Sequence, residues 1–362
     1  MQKDIIQRAV HIMLFLGLLA TVLYLGKSLL IPLFAAILFS FLVLPVVQKV
    51  TKYRFPNWLS SLIGVLVLLF SGILLCLFLS WQTASFIQDA PAMQKSVNQK
   101  KREVFNYLEK QYDIDNRKQK IWFEAKTDEI WNSASEHTME IFSTTGAVVV
   151  TFLLIPIFMY FMLFYRHKFK KFLEFYDKKE PGRLIEIFRK ISCVSQGYVS
   201  GMAIVILILT GLNTIGFLVI GLKYALLLGF IVAILNIIPY VGVLIGSLIP
   251  IAISLATKDS VVSAFAVLGV CVFTQFLENN FITPKIVGSS VNLNPLASII
   301  ALLIGGMIWG LPGMIMAIPI AGIFKVVSDN VEKLKPFGYL IGEEGDASFL
   351  HLKKLRRNKT PA

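Results

Sequence analysis

Charge is scarce in this chain, and acid is scarcer than base. Of 362 residues, 16% are Asp, Glu, Lys or Arg, with 22 acids against 35 basic residues. A soluble domain carries about 25% charged residues, so an ordinary solvated globule is excluded. Cysteine is scarcer still: Cys76 and Cys271 lie in apolar runs and Cys193 lies beside a basic loop. No spacing among the three suggests zinc or a disulfide framework. The four histidines, at 11, 137, 167 and 351, are equally scattered. No H-E-x-x-H occurs. "GFLVIGLK" at 216–223 fails as a phosphate loop because Leu222 intervenes before Lys223. No enzyme, metal site, cofactor or ATP-driven pump is expected.

What the chain has instead is apolar length. Hydrophobic residues make up 56% of it. Apolar runs lie at 12–26, 28–47, 59–80, 144–165, 198–221, 224–257, 261–282 and 295–327, most of them long enough to span a bilayer at about 20 residues. The expected fold is an all-α polytopic membrane protein with about eight transmembrane segments. Two of these are helical hairpins broken by Pro and Gly, and a helical extracytoplasmic insert is added. Gly26-Lys27 alone separates the first two runs, so they should form a tight hairpin, with Pro32 in the first turn of the second helix. No A-x-A site follows the first run. A retained anchor is therefore expected rather than a cleaved signal.

The basic excess lies in short loops, as in membrane proteins whose cytoplasmic loops are positive. Loop 48–58 has Lys49, Lys52 and Arg54 and no acid. Stretch 166–197 has nine basic residues against four acids, and the tail from Lys325 has eight against five. These should face the cytoplasm, with both termini. No nucleic-acid partner is expected. The 81–143 insert is balanced, nine basic against ten acidic, and should lie outside as two or three amphipathic helices. From Pro181, Leu184, Ile187, Phe188 and Ile191 mark one face of a cytoplasmic helix running into the next span. The resulting domains are 1–80, the N-terminal hairpin and third span; 81–143, the insert; 144–197, the fourth span and basic helix; 198–327, a transport core; and 328–362, a cytoplasmic tail.

Runs 224–257 and 295–327 are too long. As a straight helix each would measure about 50 Å, against a hydrocarbon core of about 30 Å. Asn236, Pro239 and Gly242 offer a break in the first, and Pro312 and Gly313 in the second. The hairpins are either re-entrant or fully spanning. Broken helices free backbone groups that must be satisfied in protein or a wet cavity. In transporters such pairs mark the binding site. G-x-x-x-G pairs at Gly197/Gly201, Gly242/Gly246 and Gly306/Gly310 suit close helix packing.

Between Glu186 and Asp329 the only acids are Asp259, in a polar turn, and Glu278, at the end of an apolar run. A carboxylate at membrane depth costs roughly 2.5–3.5 kcal/mol and marks a functional site by default. Gln275 lies one turn before it on the same face, and Thr274 at i−4. Burial would favour the neutral form and make Glu278 a proton carrier; pairing with Lys285 would make it a fixed charge. Placement at the interface would leave it merely solvated. Asn279, Asn280 and Thr283, in a loop stiffened by Pro284, offer groups to a polar solute or cation.

"IPYVG" at 238–242, "ENNFITPKIVG" at 278–288, "NLNP" at 292–295 and "GGMIWGLPGMIMAIPIAGI" at 305–323 resemble the autoinducer-2 exporter (AI-2E) family, once grouped as permeases. The hairpin, third span, insert and basic helix leading to "GYVSGM" are similar to its layout. The resemblance implies a bacterial inner-membrane secondary transporter, homo-oligomeric, that exports small polar solutes, with autoinducer-2 as one such cargo. Some similar proteins are described as sodium/proton antiporters. A cation/proton antiporter therefore stands beside the exporter, and an oligomeric channel or scaffold beside both. Val243 stands where the family pattern often has a second proline.

Overall fold

The computed structural model describes residues 2–112, 145–177, 182–238, 241–258, 260–287 and 291–343. Among them the regular structure is helical, with one isolated bridge between Leu293 and Gly342. The insert beyond residue 112, Pro181, Pro239, Asp259 and the tail after 343 lie outside the described residues.

The helices are α1 (Gln2–Leu25), α2 (Lys27–Lys52), α3 (Asn57–Tyr112), α4 (Thr145–Phe164), α5 (Arg166–Tyr176) and α6 (Arg183–Ile220). Then follow α7 (Ala225–Leu235), α8 (Val241–Thr257), α9 (Val261–Leu277), a π-helical turn (Glu278–Ile282), α10 (Thr283–Ile286), α11 (Pro295–Trp309), α12 (Leu311–Asn330) and α13 (Lys335–Ile341). Six of these are long and apolar enough to cross a membrane, or seven if the pair 152–164 and 166–176, bent by 57°, is one span. About eight were expected; among the described residues run 144–165 counts only as part of that bent pair, and run 224–257 divides into two short helices. At 11 residues, α7 covers about 16 Å, half of the apolar core, and cannot cross alone.

Three boundaries differ from the sequence reading. Helix α3 passes residue 80 without a break and continues to Tyr112. Its sequence there is polar, but it holds no proline after Pro91 to stop the helix. Helix α2 begins at Lys27, so Pro32 sits in its second turn rather than its first. The stretch after Glu278 is helical to Ile286, not a loop, because Pro284 falls in the first turn of α10, where no N–H is needed.

The chain clusters into two compact units. The first comprises Met1–Ser71, Thr151–Val205 and Asn279–Ala362; the second comprises Gly72–Val150 and Ile206–Glu278. In the first unit Ala36, Val43 and Val47 of α2 pack with Val65 of α3 and with Met159 and Leu163 of α4. In the second, Phe217 and Leu222 pack with Leu228 and Val232 of α7, Ile253 of α8, and Val267 and Cys271 of α9. Outward faces stay apolar, with Phe265, Phe273 and Phe276 of α9 exposed, as lipid contact requires.

Candidate functional site

Helix α9 is capped by Ser260, whose hydroxyl oxygen accepts from the Val262 N–H at 3.2 Å. Ala264, Val267, Cys271, Thr274 and Glu278 are all buried. Their alternating spacing of three and four places them in one row along the helix. The row begins apolar and ends polar, at a hydroxyl and a carboxyl. Directly after Leu277 the backbone widens into the π turn. Such a turn inserts an extra residue and is frequent at functional sites. Glu278 is 9% exposed, whereas Asn279 and Asn280 beside it are exposed.

The partner of Glu278 comes from the end of α7. Asn236 caps that helix, and its Nδ2 donates to Glu278 Oε2 at 2.5 Å. The chain turns here because Gly242 presses on α7: a Cβ at that position would collide with the Leu235 carbonyl. Gly246, one turn on, faces Val232 closely: an added Cβ would lie 3.3 Å from the Val232 Cα, tighter than ordinary packing. The G-x-x-x-G pair of α8 thus holds the two arms of the hairpin together and delivers Asn236 to Glu278.

A narrow cavity lies against this pair, lined by Asn213, Asn236, Ser247, Thr274, Gln275 and Glu278 with an apolar remainder. Its free volume, about 10 Å³, is at the lower limit for one water molecule. Asn213 of α6 is 1% exposed, and its Oδ1 has no hydrogen-bond partner. Leaving such an acceptor unsatisfied costs about 1–3 kcal/mol. Its polar lining is made of hydroxyl, amide and carboxyl groups. Oxygen donors of this kind suit protons, water and hard cations. Among the described residues no cluster of His, Cys, Asp and Glu could hold a metal ion.

The AI-2E family transporter profile matches residues 12–333. The chain belongs to the AI-2E transporter family. Among its relatives is YrrI of Bacillus subtilis (strain 168), named as a candidate transport protein. It is 31% identical over 313 residues, covering 83% of this chain and 86% of that protein. YueF of the same organism, also named as a candidate transport protein, is 30% identical over 195 residues, 54% of this chain and 52% of its own. The AI-2 transport protein TqsA of Escherichia coli (strain K12) is 22% identical over 341 residues, 91% of this chain and 95% of its own. The family is one of membrane transporters and permeases, and the apolar helices of this member fit a multi-pass membrane protein.

Within this family member the sequence-derived candidates part company. Glu278, Gln275 and Asn236 line the cavity, and Gly242 supports it from behind. Asn279, Asn280, Thr283, Pro284 and Lys285 are not among the lining residues; Thr283 is half-buried and the others are exposed. Pro239 lies outside the described residues. Pro312 and Gly313 belong to the first unit, where the turn between α11 and α12 falls at Gly310 instead. Gly310 takes φ +65°, which disfavours any side chain, while Pro312 sits harmlessly in the first turn of α12. Gly313 is pressed against the Gly305 carbonyl, so the close approach is Gly305/Gly313 rather than the Gly306/Gly310 pair.

The sequence reading missed Asn213 and Ser247. Asn213 had a signal: Val205, Leu209, Asn213 and Phe217, all buried, form an i+4 row with one polar member. Lys325 and Asp329, counted among the charges from Lys325 onward, both belong to α12, where Lys325 is 4% exposed and its Nζ donates to Asp329 Oδ2 at 2.6 Å. Asn292 takes a left-handed turn at φ +43°. Asn294 caps α11, accepting from the Ala297 N–H at 2.8 Å and donating to the Leu340 carbonyl at 2.8 Å. Those two asparagines are structural.

Proposed function

We propose that this family member is a secondary transporter that exports a small polar solute in exchange for protons, with Glu278 as the proton-carrying group. The observation that carries this reading is the buried Glu278 carboxyl, hydrogen-bonded by Asn236 at the break between α7 and α8. An ionisable group at membrane depth is costly to keep. A carboxyl that binds and releases a proton gives that cost a use. Asn236 Nδ2 can donate to Oε2 whether Glu278 is neutral or ionised, so the pair survives both halves of a cycle.

The cavity's size supports a coupling site rather than the solute site. A volume near 10 Å³ takes a water or a proton, not an organic molecule. The solute pathway therefore opens in another conformation, with α7 and α8 as the elements that move. The name of the relative TqsA, an AI-2 transport protein, supports a compact polar cargo of that class. The positive loops support an inner-membrane protein of a bacterium with both termini cytoplasmic, and the family resemblance supports a homo-oligomer.

One observation favours a second reading. Asn213 Oδ1 is buried without a partner beside Glu278, Thr274 and Ser247. Those oxygens suit a sodium ion exchanging with protons at Glu278. Vesicle flux separates the two. A sodium gradient that drives proton movement without any solute supports the antiporter. Proton movement only in the presence of a polar solute supports the exporter. Proton movement under neither condition overturns both.

A further inference from the structure

A second cavity is lined wholly by residues of the first unit. It encloses about 250 Å³ between α2, the α4–α5 bend and α6. Its walls are apolar, from Ile37, Phe41 and Leu44 of α2, Leu163 of α4, Phe169 of α5 and Phe188 of α6. Two polar groups interrupt them, Arg166 and Ser40.

Arg166 is half-buried at the bend. Its Nη2 donates to Thr51 Oγ1 at 3.0 Å and to Asn57 Oδ1 at 3.3 Å, and its Nη1 reaches the Leu163 carbonyl at 3.4 Å. All three acceptors are neutral, and among the described residues no carboxylate pairs with it. These bonds fix the guanidinium but do not neutralise it, and they leave N–H groups over. Ser40 is 7% exposed, and its Oγ is buried with no hydrogen-bond partner. The helices that form the cavity are basic beyond it: α2 ends on Lys49 and Lys52, and α5 carries Lys168, Lys170 and Lys171 against the single acid Glu174. An apolar slot with a held cation in its wall, formed by helices that carry further basic residues, is the chemistry of an anionic amphiphile. Basic pockets between membrane helices take the headgroups of acidic lipids.

We infer that this cavity is a binding site for an anionic phospholipid of the surrounding bilayer, its phosphate on Arg166 and one acyl chain between α2 and α6. Ser40 offers its hydroxyl to an ester oxygen further in. The site is independent of Glu278 and of the transport reading.

The test is native mass spectrometry of the full-length, delipidated protein titrated with phosphatidylglycerol or with phosphatidylcholine of the same chains. The wild type should prefer phosphatidylglycerol by at least about tenfold, the scale of one charge-assisted hydrogen bond. Arg166→Gln should lose the preference and Arg166→Lys should keep part of it. Ile37→Trp, which fills the slot and leaves the charge alone, should lose binding of both lipids. Equal binding of the two lipids by the wild type overturns the site, and so does preference unchanged in Ile37→Trp. Loss of a protein dimer, rather than of a lipid adduct, in both variants also overturns it and gives the slot to a second copy of the chain.

Discussion

The two broken apolar runs turn with different amounts of chain. Between α7 and α8 lie residues 236–240, whereas between α11 and α12 lies Gly310 alone. The short turn keeps its backbone bonded: Gly310 N–H donates to Gly306 O at 2.9 Å, and Met314 N–H to Gly310 O at 3.0 Å. Its arms meet at Gly305 and Gly313, backbone against backbone, and its charges, Lys325 and Asp329, answer each other within α12. The longer turn brings a side-chain amide to a buried carboxyl and leaves a cavity beside it. A break in an apolar helix is therefore not a site by itself. What sets the first break apart is a turn long enough to present a polar side chain to a carboxyl on a facing helix.

Substitutions can break that comparison, and the largest effect is expected in the tighter packing of the first hairpin. Gly242→Leu drives a side chain into the Leu235 carbonyl and should cost about 3 kcal/mol or more. Unfolding of the detergent-solubilised protein reads it out. An unchanged midpoint would mean that the arms are not held at this contact. Asp329→Leu removes the Asp329 ion pair from the buried Lys325 and should cost about 2–3 kcal/mol, less than a fully buried pair because the Asp329 side chain is 25% exposed. Transport by the protein that still folds should persist.

Smaller effects sharpen the contrast. Asn236→Ala removes the donor to Glu278 and should cost about 2 kcal/mol in stability while shifting the pH at which flux is half-maximal. A loss of stability with an unmoved pH profile would reduce Asn236 to a cap. Asn213→Leu should change stability by no more than about 1 kcal/mol, in the stabilising direction, because an unpartnered acceptor is replaced by an apolar group of similar size. Flux should fall all the same. Stability and flux both unchanged would remove Asn213 from the site.

Much of this was legible before any coordinates. Glu278 announces itself because the spans around it carry no charge, and Asn236 because it precedes Pro239 and Gly242 in an overlong run. Helix class and the existence of both breaks follow from length alone. Three things were hidden for physical reasons. The exact turn in the second run could not be placed because proline marks a helix start as readily as a helix stop; Gly310, not Pro312, adopts the conformation. The four asparagines near Glu278 look alike in sequence, yet Asn294 before Pro295 is the pattern of a helix cap, a signal that could have been used. The Lys325–Asp329 pair was hidden because the apolar run ends at Val327, between the two charges, whereas the helix that joins them continues to Asn330.

Proton-linked flux through reconstituted vesicles, measured with and without a pH gradient for Glu278→Gln beside Pro312→Ala, tests the role of the first hairpin most directly. The first replaces the buried carboxyl beside the first break, and the second alters the turn of the other. Glu278→Gln should lose the gradient-driven part of flux by at least about tenfold, the scale of coupling free energies between linked sites, while Pro312→Ala keeps it. Gradient-driven flux intact in Glu278→Gln, or lost in Pro312→Ala alone, would contradict the assignment of the coupling step to the first hairpin.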